Sequence, residues 1–234
     1  MAFLAGSGAL PTLDESGFAK LQREAPDYAW SLAESESEFL TCLPAAEIVL
    51  VWRFKREWQE PAARLNLIST PAAGREWLEA APRPGLEIWF GSFHGVFMAE
   101  TVAGLMLALS RGIKDSQDYM AEGGVWPRER VAFAMRPLRG SRATILGFGH
   151  IGKWIGKLLK PFGVALRGVN RSDLSRPAYF EADDMVRPLA DLDSLLPDTD
   201  HLILALPGDS GVDGIVDARR LDLLPRRACV YNVG

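Results

Sequence analysis

The stretch Ala143-Thr144-Ile145-Leu146-Gly147-Phe148-Gly149-His150-Ile151-Gly152 decides how this chain folds. Thr144, Ile145 and Leu146 form a short β-branched and apolar run that reads as a buried parallel strand. The run breaks at Gly147, and Lys153 to Leu159 continue with helical spacing. Gly147, Gly149 and Gly152 thus make G-x-G-x-x-G between a strand and a helix, the setting in which that spacing marks a dinucleotide-binding turn. Each glycine has its own task. Gly147 permits the tight turn, Gly149 lets a pyrophosphate approach the backbone, and Gly152 lets the helix pack closely on the strand. The N–H groups and positive dipole end of the helix then hold phosphate without a cationic side chain. Glycine-rich turns are common, so it is the flanking strand and helix that carry the reading.

At 234 residues the chain can form one large or two small domains, each with its own core. Its 48% hydrophobic and 24% charged residues are ordinary for a globular protein in water. A net charge of −4 gives no reason to expect nucleic acid as a partner. Cys42 and Cys229 lack metal-type spacing and lie in apolar surroundings, so free buried thiols in a reducing cytoplasm are expected. Met1 to Leu10 is apolar without a basic start or clear cleavage site, and reads as a strand and not as a signal peptide. Val102 to Leu109 is the most apolar helical run and is too short to span a bilayer, so no membrane partner is expected. No His/Cys cluster has metal-ligand spacing, and no G-x-S-x-G elbow is present.

Taken in order, Ala2 to Ala5 reads as a strand, with Gly6 to Gly8 as a turn. Asp14 to Ala25 reads as an amphipathic helix with Leu13, Phe18 and Leu21 inward, stopped by Pro26. A short strand over Asp27 to Leu32 and a helix over Ser35 to Ala46 follow. Ile48 to Phe54, Leu65 to Thr70 and Leu86 to Phe90 are strand-like, and the alternation implies a parallel sheet covered on both faces. Met98 to about Met120 reads as one long helix with Ala99, Val102, Leu105, Met106 and Leu109 on its inner face. Arg128 to Arg142 is arginine-rich and reads as a solvated face or a dimer contact. Beyond the glycine turn come a strand at Val164 to Val169, a polar connection from Arg176 to Pro188 and a helix at Asp191 to Leu196. His201 to Leu206, Ala218 to Leu224 and Ala228 to Asn232 then read as strand, helix and strand. Two α/β units result, residues 1–97 and 98–234.

In this order the motifs resemble those of the D-isomer-specific 2-hydroxyacid dehydrogenases, over nearly the whole chain. Ser69-Thr70-Pro71-Ala72-Ala73-Gly74 is similar to the family loop that binds the substrate carboxylate through backbone N–H groups. Met98-Ala99-Glu100 resembles the Val-Ala-Glu that opens its crossover helix, and Gly124-Val125-Trp126 its Gly-x-Trp. The fingerprint Gly147 to Gly152 matches in full, Leu206-Pro207 resembles the Leu-Pro under the adenosine, and Leu224-Pro225 through Val230-Tyr231-Asn232-Val233-Gly234 the late strand with its Asn. The resemblance implies a flavodoxin-like substrate domain, a Rossmann cofactor domain and a cleft between them. It implies hydride transfer between a nicotinamide and a small 2-oxo or 2-hydroxy acid, and a homodimer formed through the cofactor domain. The family's arginine is expected just after Gly234, with its glutamate and histidine later, so no catalytic residue is assigned within these 234. A fragment of a longer protein is the expectation; the alternative is a natural short form that binds cofactor without chemistry.

The cofactor site is then expected at Gly147, Phe148, Gly149, His150, Ile151 and Gly152 for the pyrophosphate, and at Leu206 and Pro207 for the adenosine. Asn170-Arg171-Ser172 closes the next strand where an NAD enzyme usually offers an acid to the ribose. No acid appears until Asp173, and Arg171 and Ser172 suit a 2′-phosphate, which favours NADP over NAD. The plain alternative is a solvated arginine in an ordinary turn. Ala73 and Gly74 are expected to offer N–H groups to the substrate carboxylate, with Trp52 and Arg53 shaping the pocket as in the glyoxylate and hydroxypyruvate reductase branch. A solvated strand end explains Arg53 and Lys55 equally well. His94 lies just before the crossover helix, and His201 opens a buried strand with a structural role expected. The rivals are a non-catalytic NAD(P)-sensing module, like the family's corepressor relatives, and another family activity such as phosphoglycerate or formate oxidation.

Overall fold

The computed structural model of the chain describes residues 2–4, 13–75, 77–123, 125, 128–129, 132, 135–208 and 211–234. It divides into two compact units, Met1–Phe93 and His94–Gly234. The expected turn at 6–8 and the residues Gly124, Trp126 and Pro127 lie outside the described residues.

In the first unit five short strands form a wholly parallel sheet: β1 (Ala2–Leu4), β2 (Ser31–Ala33), β3 (Ile48–Leu50), β4 (Leu67–Thr70) and β5 (Glu87–Phe90). Their order is β2-β1-β3-β4-β5, the flavodoxin-like arrangement. Two helices begin on polar caps. Asp14 accepts the Gly17 N–H at the start of α1 (Glu15–Glu24), and Ser35 accepts the Glu38 N–H at the start of α2 (Glu36–Cys42). Phe39, Leu43, Val49, Val51, Phe54, Trp58 and Ile68 make the core. Leu13, Phe18 and Leu21 are only half-buried, so α1 lies at the margin of this core and not inside it. The strand expected over Ile48 to Phe54 stops at Leu50. Its continuation leaves the sheet to pair elsewhere: Phe54 donates to Trp77 O and accepts from the Glu79 N–H.

The second unit contains β6 (Arg142–Leu146), β7 (Ala165–Asn170), β8 (Met185–Pro188), β9 (His201–Leu204) and β10 (Cys229–Asn232). All are parallel, in the order β10-β9-β6-β7-β8. Numbered within the unit this is 3-2-1-4-5 read from the β8 edge, the Rossmann order, which reverses direction between β6 and β9. The helices are α3 (His94–Ser110), α4 (Ile113–Ala121), α5 (His150–Leu159), α6 (Leu192–Leu195) and α7 (Ala218–Leu223). Gly152, Ile155, Gly156 and Leu159 are the buried face of α5, at the spacing a helix needs to seat on a sheet. Inside the sheet the Thr144 hydroxyl is satisfied by Thr199, at 2.6 Å.

Four expectations need correction here. The long helix is two helices: it starts at His94, ends at Ser110 and resumes at Ile113 after Gly112, whose φ of 63° no helix interior accommodates. Leu105 and Leu109 are exposed at 46% and 44%, so the inner face is Ala99, Val102, Ala103 and Met106 instead. The polar connection before Pro188 hides β8, an edge strand bonded only to β7. Both cysteines are free but half-buried. Among the described residues no single helix is long and apolar enough to cross a membrane; α3 and α4 reach that length and composition only together, bent by 64°.

His201 is 7% exposed, and its Nδ1 lies 3.1 Å from the Tyr231 hydroxyl. Burial holds its pKa below the ordinary 6.5, against a smaller opposing pull from Asp200. The unfolded chain therefore takes up a proton that the folded chain refuses, and stability falls as pH drops below about 6.5. Replacing it by glutamine, His201→Gln, is expected to flatten that fall. Urea denaturation at about pH 7.5 and about pH 5.5 checks this, and an unchanged pH dependence would assign the effect to another group.

Candidate cofactor site

The geometry of the glycine turn follows from what surrounds it. Gly147 has φ of 92°, and a Cβ there would lie 2.3 Å from the Ala205 carbonyl oxygen beyond β9. Only glycine fits, and the turn is thereby pressed against the place where strand order reverses. At Gly152 a Cβ would stand 2.5 Å from Gly147 O and 3.2 Å from Ile145 Cγ2, so the helix and strand approach more closely than a side chain allows. At Gly149 a Cβ would meet nothing within 4 Å. Two glycines are thus required by the fold and the middle one faces open space.

The loop is held from below. The N–H groups of Gly147 and Phe148 both donate to Val169 O, and the Phe148 ring is fully buried, 5.5 Å from Phe180. Phe148 therefore supports the loop and offers neither its ring nor its N–H to a ligand. Gly168 is part of the same fit, since a Cβ there would enter the Phe148 ring at 2.5 Å. No side chain caps the start of α5, where Gly149 is the N-cap residue and His150 is exposed. A pyrophosphate fits this construction: an open glycine beside an uncapped helix N-terminus at the switch point of a parallel sheet.

At the end of β7, Asn170 turns its amide to the backbone, donating to Phe148 O and accepting from the Arg171 N–H. It ties the glycine loop to β7. Arg171 and Ser172 are exposed, and among the described residues the Arg171 guanidinium has no carboxylate partner. The first acid, Asp173, is already engaged: Oδ2 takes Lys153 Nζ at 2.6 Å, and Oδ1 takes the Ser175 N–H and hydroxyl. The Lys153 hydrogen bond, with those of Ser175, holds its carboxyl well below the usual carboxylate range. Sequence reasoning left Lys153 and Ser175 out. The trace it could have used is a basic residue directly after the third glycine with an acid beyond the next strand.

Leu206 and Pro207 lie just past β9 and line a cavity of about 260 Å³ together with Val212, Ile215, Asn232 and Gly234. The last four were not expected; Asn232 and Gly234 follow from β9 and β10 being neighbours, which strand order alone reveals, and Val212 and Ile215 come from the segment between β9 and α7. In the first unit, the loop after β4 carries Ala73 and Gly74, whose N–H groups are not taken by any described residue. The loop itself is fixed, since the Gly91 N–H donates to Ala72 O and Thr70 Oγ1 accepts from the Ala72 N–H. Trp52 is half-buried, with its carbonyl accepting from the Thr70 hydroxyl. Arg53 is exposed, with its guanidinium 5.1 Å over the Trp77 ring. Among the described residues no three His, Cys, Asp or Glu side chains are grouped to hold a metal ion.

Fold and site together define a two-unit α/β protein with a dinucleotide turn in its Rossmann unit. Residues 103–234 match the family model described as D-isomer specific 2-hydroxyacid dehydrogenase, NAD binding domain. The chain belongs to that family. It is 25% identical to a glyoxylate reductase of Pyrococcus furiosus over 94% of this chain and 68% of that protein. It is 30% identical to a 2-ketogluconate reductase of Gluconobacter oxydans over 58% of this chain and 41% of that protein. Among solved structures, a D-isomer specific 2-hydroxyacid dehydrogenase from Xanthobacter autotrophicus in complex with NADPH and MES superposes with a TM-score of 0.78 at 19% identity. That superposition covers 99% of this chain and 71% of the other.

Proposed function

We propose that the whole protein is an NAD(P)-dependent oxidoreductase that interconverts a small 2-oxo acid, of the glyoxylate or hydroxypyruvate kind, and its D-2-hydroxy acid. The observation that carries this is the fingerprint geometry, with Gly149 open beside an uncapped helix start at the point where strand order reverses. The bound nicotinamide supplies or accepts the hydride. Gly149, His150, Ile151 and Gly152 hold the pyrophosphate; Leu206 and Pro207 bound the adenosine. In the first unit, Ala73 and Gly74 present N–H groups to the substrate carboxylate, and Trp52 and Arg53 shape its surroundings. Within the proposal, residues 1–97 are the substrate domain and 98–234 the cofactor domain. Free thiols at Cys42 and Cys229 suit the reducing cytoplasm. Self-association as a homodimer is supported by the exposed stripe of Phe97, Leu105 and Leu109 on α3.

NADP is the preferred cofactor in this reading. Among the described residues Arg171 is an exposed cation with no carboxylate partner at the β7 end, while Asp173, the first acid after it, is occupied by Lys153 and Ser175. Replacing the cation, Arg171→Ala, is expected to weaken NADPH about tenfold or more and NADH less than about twofold. Calorimetric titration of both nucleotides into the 234-residue chain measures this without requiring turnover. Equal weakening of the two would remove the 2′-phosphate role from Arg171, and no binding of either would overturn the functional reading itself.

A further inference from the structure

The Rossmann sheet has a second concavity, at the opposite ends of its strands. A cavity of about 400 Å³ opens where β6, β9 and β10 begin, lined by Arg136, Arg139, Arg227, Asp200, Ser141 and His201 among others. Strands of this length hold the two ends of the sheet roughly 15 Å apart, so this is not part of the fingerprint site.

Its charges are arranged for a ligand and not for internal pairing. Arg142, which directly follows the lining residue Ser141, and Arg167 on β7 are both bound to Asp198. Among the described residues Arg136, Arg139 and Arg227 have no such carboxylate. Among the described residues the acid in the lining is Asp200, which already accepts the Arg142 N–H at 2.8 Å. Three guanidiniums against one carboxylate leave the lining net positive in a chain whose overall charge is −4. His201 adds a fixed polar group to the wall. When its Nδ1 accepts the Tyr231 hydroxyl proton, 3.1 Å away, its Nε2 carries the hydrogen and is a donor. The volume is that of a small-molecule site. Guanidiniums recognise planar or tetrahedral oxyanions by paired hydrogen bonds.

We propose that this cavity binds a small multivalent oxyanion, a phosphate monoester or a di- or tricarboxylate, at a site separate from that of the dinucleotide. The test follows backbone amide NMR signals of the whole chain during titration with inorganic phosphate and, separately, with citrate, at ionic strength held constant with chloride. The expected result is saturable shifts at Ser141, His201 and Cys229 with at least one anion, distinct from any phosphate effect at Gly149 and His150. Stronger binding of phosphate points to phosphorylated ligands, and stronger binding of citrate to polycarboxylates. Replacing Arg139 and Arg227 together by alanine is expected to weaken binding about tenfold or more, while Arg23→Ala, on α1 of the first unit, leaves it unchanged. Both arginines are exposed, so the double variant should fold; if it does not, the single Arg227→Gln variant serves, with the same direction expected. Absence of saturable shifts at those amides with either anion overturns the proposal, as does unaltered binding in the arginine variants.

Discussion

Gly149→Ala should weaken dinucleotide binding by about 10- to 100-fold while leaving the stability of the chain unchanged within about 0.5 kcal/mol. The added methyl meets nothing within 4 Å in the protein, so folding does not feel it. In the proposed site it stands instead in the space the pyrophosphate would occupy. Gly147→Ala is the contrasting case. Its φ of 92° costs an L-residue about 1–2 kcal/mol, and the 2.3 Å approach to Ala205 O adds overlap with backbone that cannot rotate away. A loss of roughly 3 kcal/mol is expected, with binding lost as the turn shifts. Urea denaturation and calorimetry on both variants decide the matter. If Gly149→Ala binds NADPH and NADH as well as the parent chain, the pyrophosphate is not where this reading puts it.

Asp184→Ala should cost about 3–5 kcal/mol, although the residue lies in a connection that looks unremarkable in sequence. Asp184 is 1% exposed and accepts three donors: the N–H of Leu166 at 2.8 Å, the N–H of Glu181 at 2.7 Å and Lys160 Nζ at 2.7 Å. Burial opposes the charge on Lys160, but its bonds to Asp184 and Glu181 outweigh that and hold its pKa above the ordinary value. Truncation leaves the buried Leu166 N–H and the part-buried Glu181 N–H without their acceptor, and the Lys160 ammonium with Glu181 as its remaining carboxylate. Asp184→Asn keeps an acceptor and should lose less. A measured loss below about 1 kcal/mol for the alanine variant would mean that water replaces the carboxylate at little cost.

The Rossmann unit was legible in the sequence because its most informative residues are glycines with steric reasons to be there. Gly147 and Gly152 would each place a Cβ within 2.5 Å of a carbonyl oxygen, and such positions tolerate no drift. β8 was not legible, because an edge strand of four residues ending in Pro188 carries little apolar periodicity, and the acid before it, Asp184, reads as solvent-facing until its three donors are seen. The break at Gly112 was hidden for a related reason. Helical spacing continues across it from Leu109 to Ile113, and one glycine in an apolar run looks tolerable until its φ of 63° is known. Of the candidate site, the glycine spacing of the turn could be read from the sequence, but not that Phe148 is buried beneath it with its N–H bonded to Val169 O. The role of Asn170 could not, because its partners, Phe148 O and the Arg171 N–H, are backbone groups that no sequence pattern announces.

The strand order also sets a timetable for the growing chain. The central strand β6 meets its first neighbour, β7, within a few tens of residues, but its other neighbour, β9, begins only at His201, the register partner of Ala143. At ribosomal rates of about 5–20 residues per second, one side of the central strand waits several seconds for its partner to be made. Ala205, whose carbonyl abuts Gly147, emerges later still. The glycine turn leaves the ribosome well before its wall does, and until then a nascent chain holds a fingerprint with nothing to press it into shape.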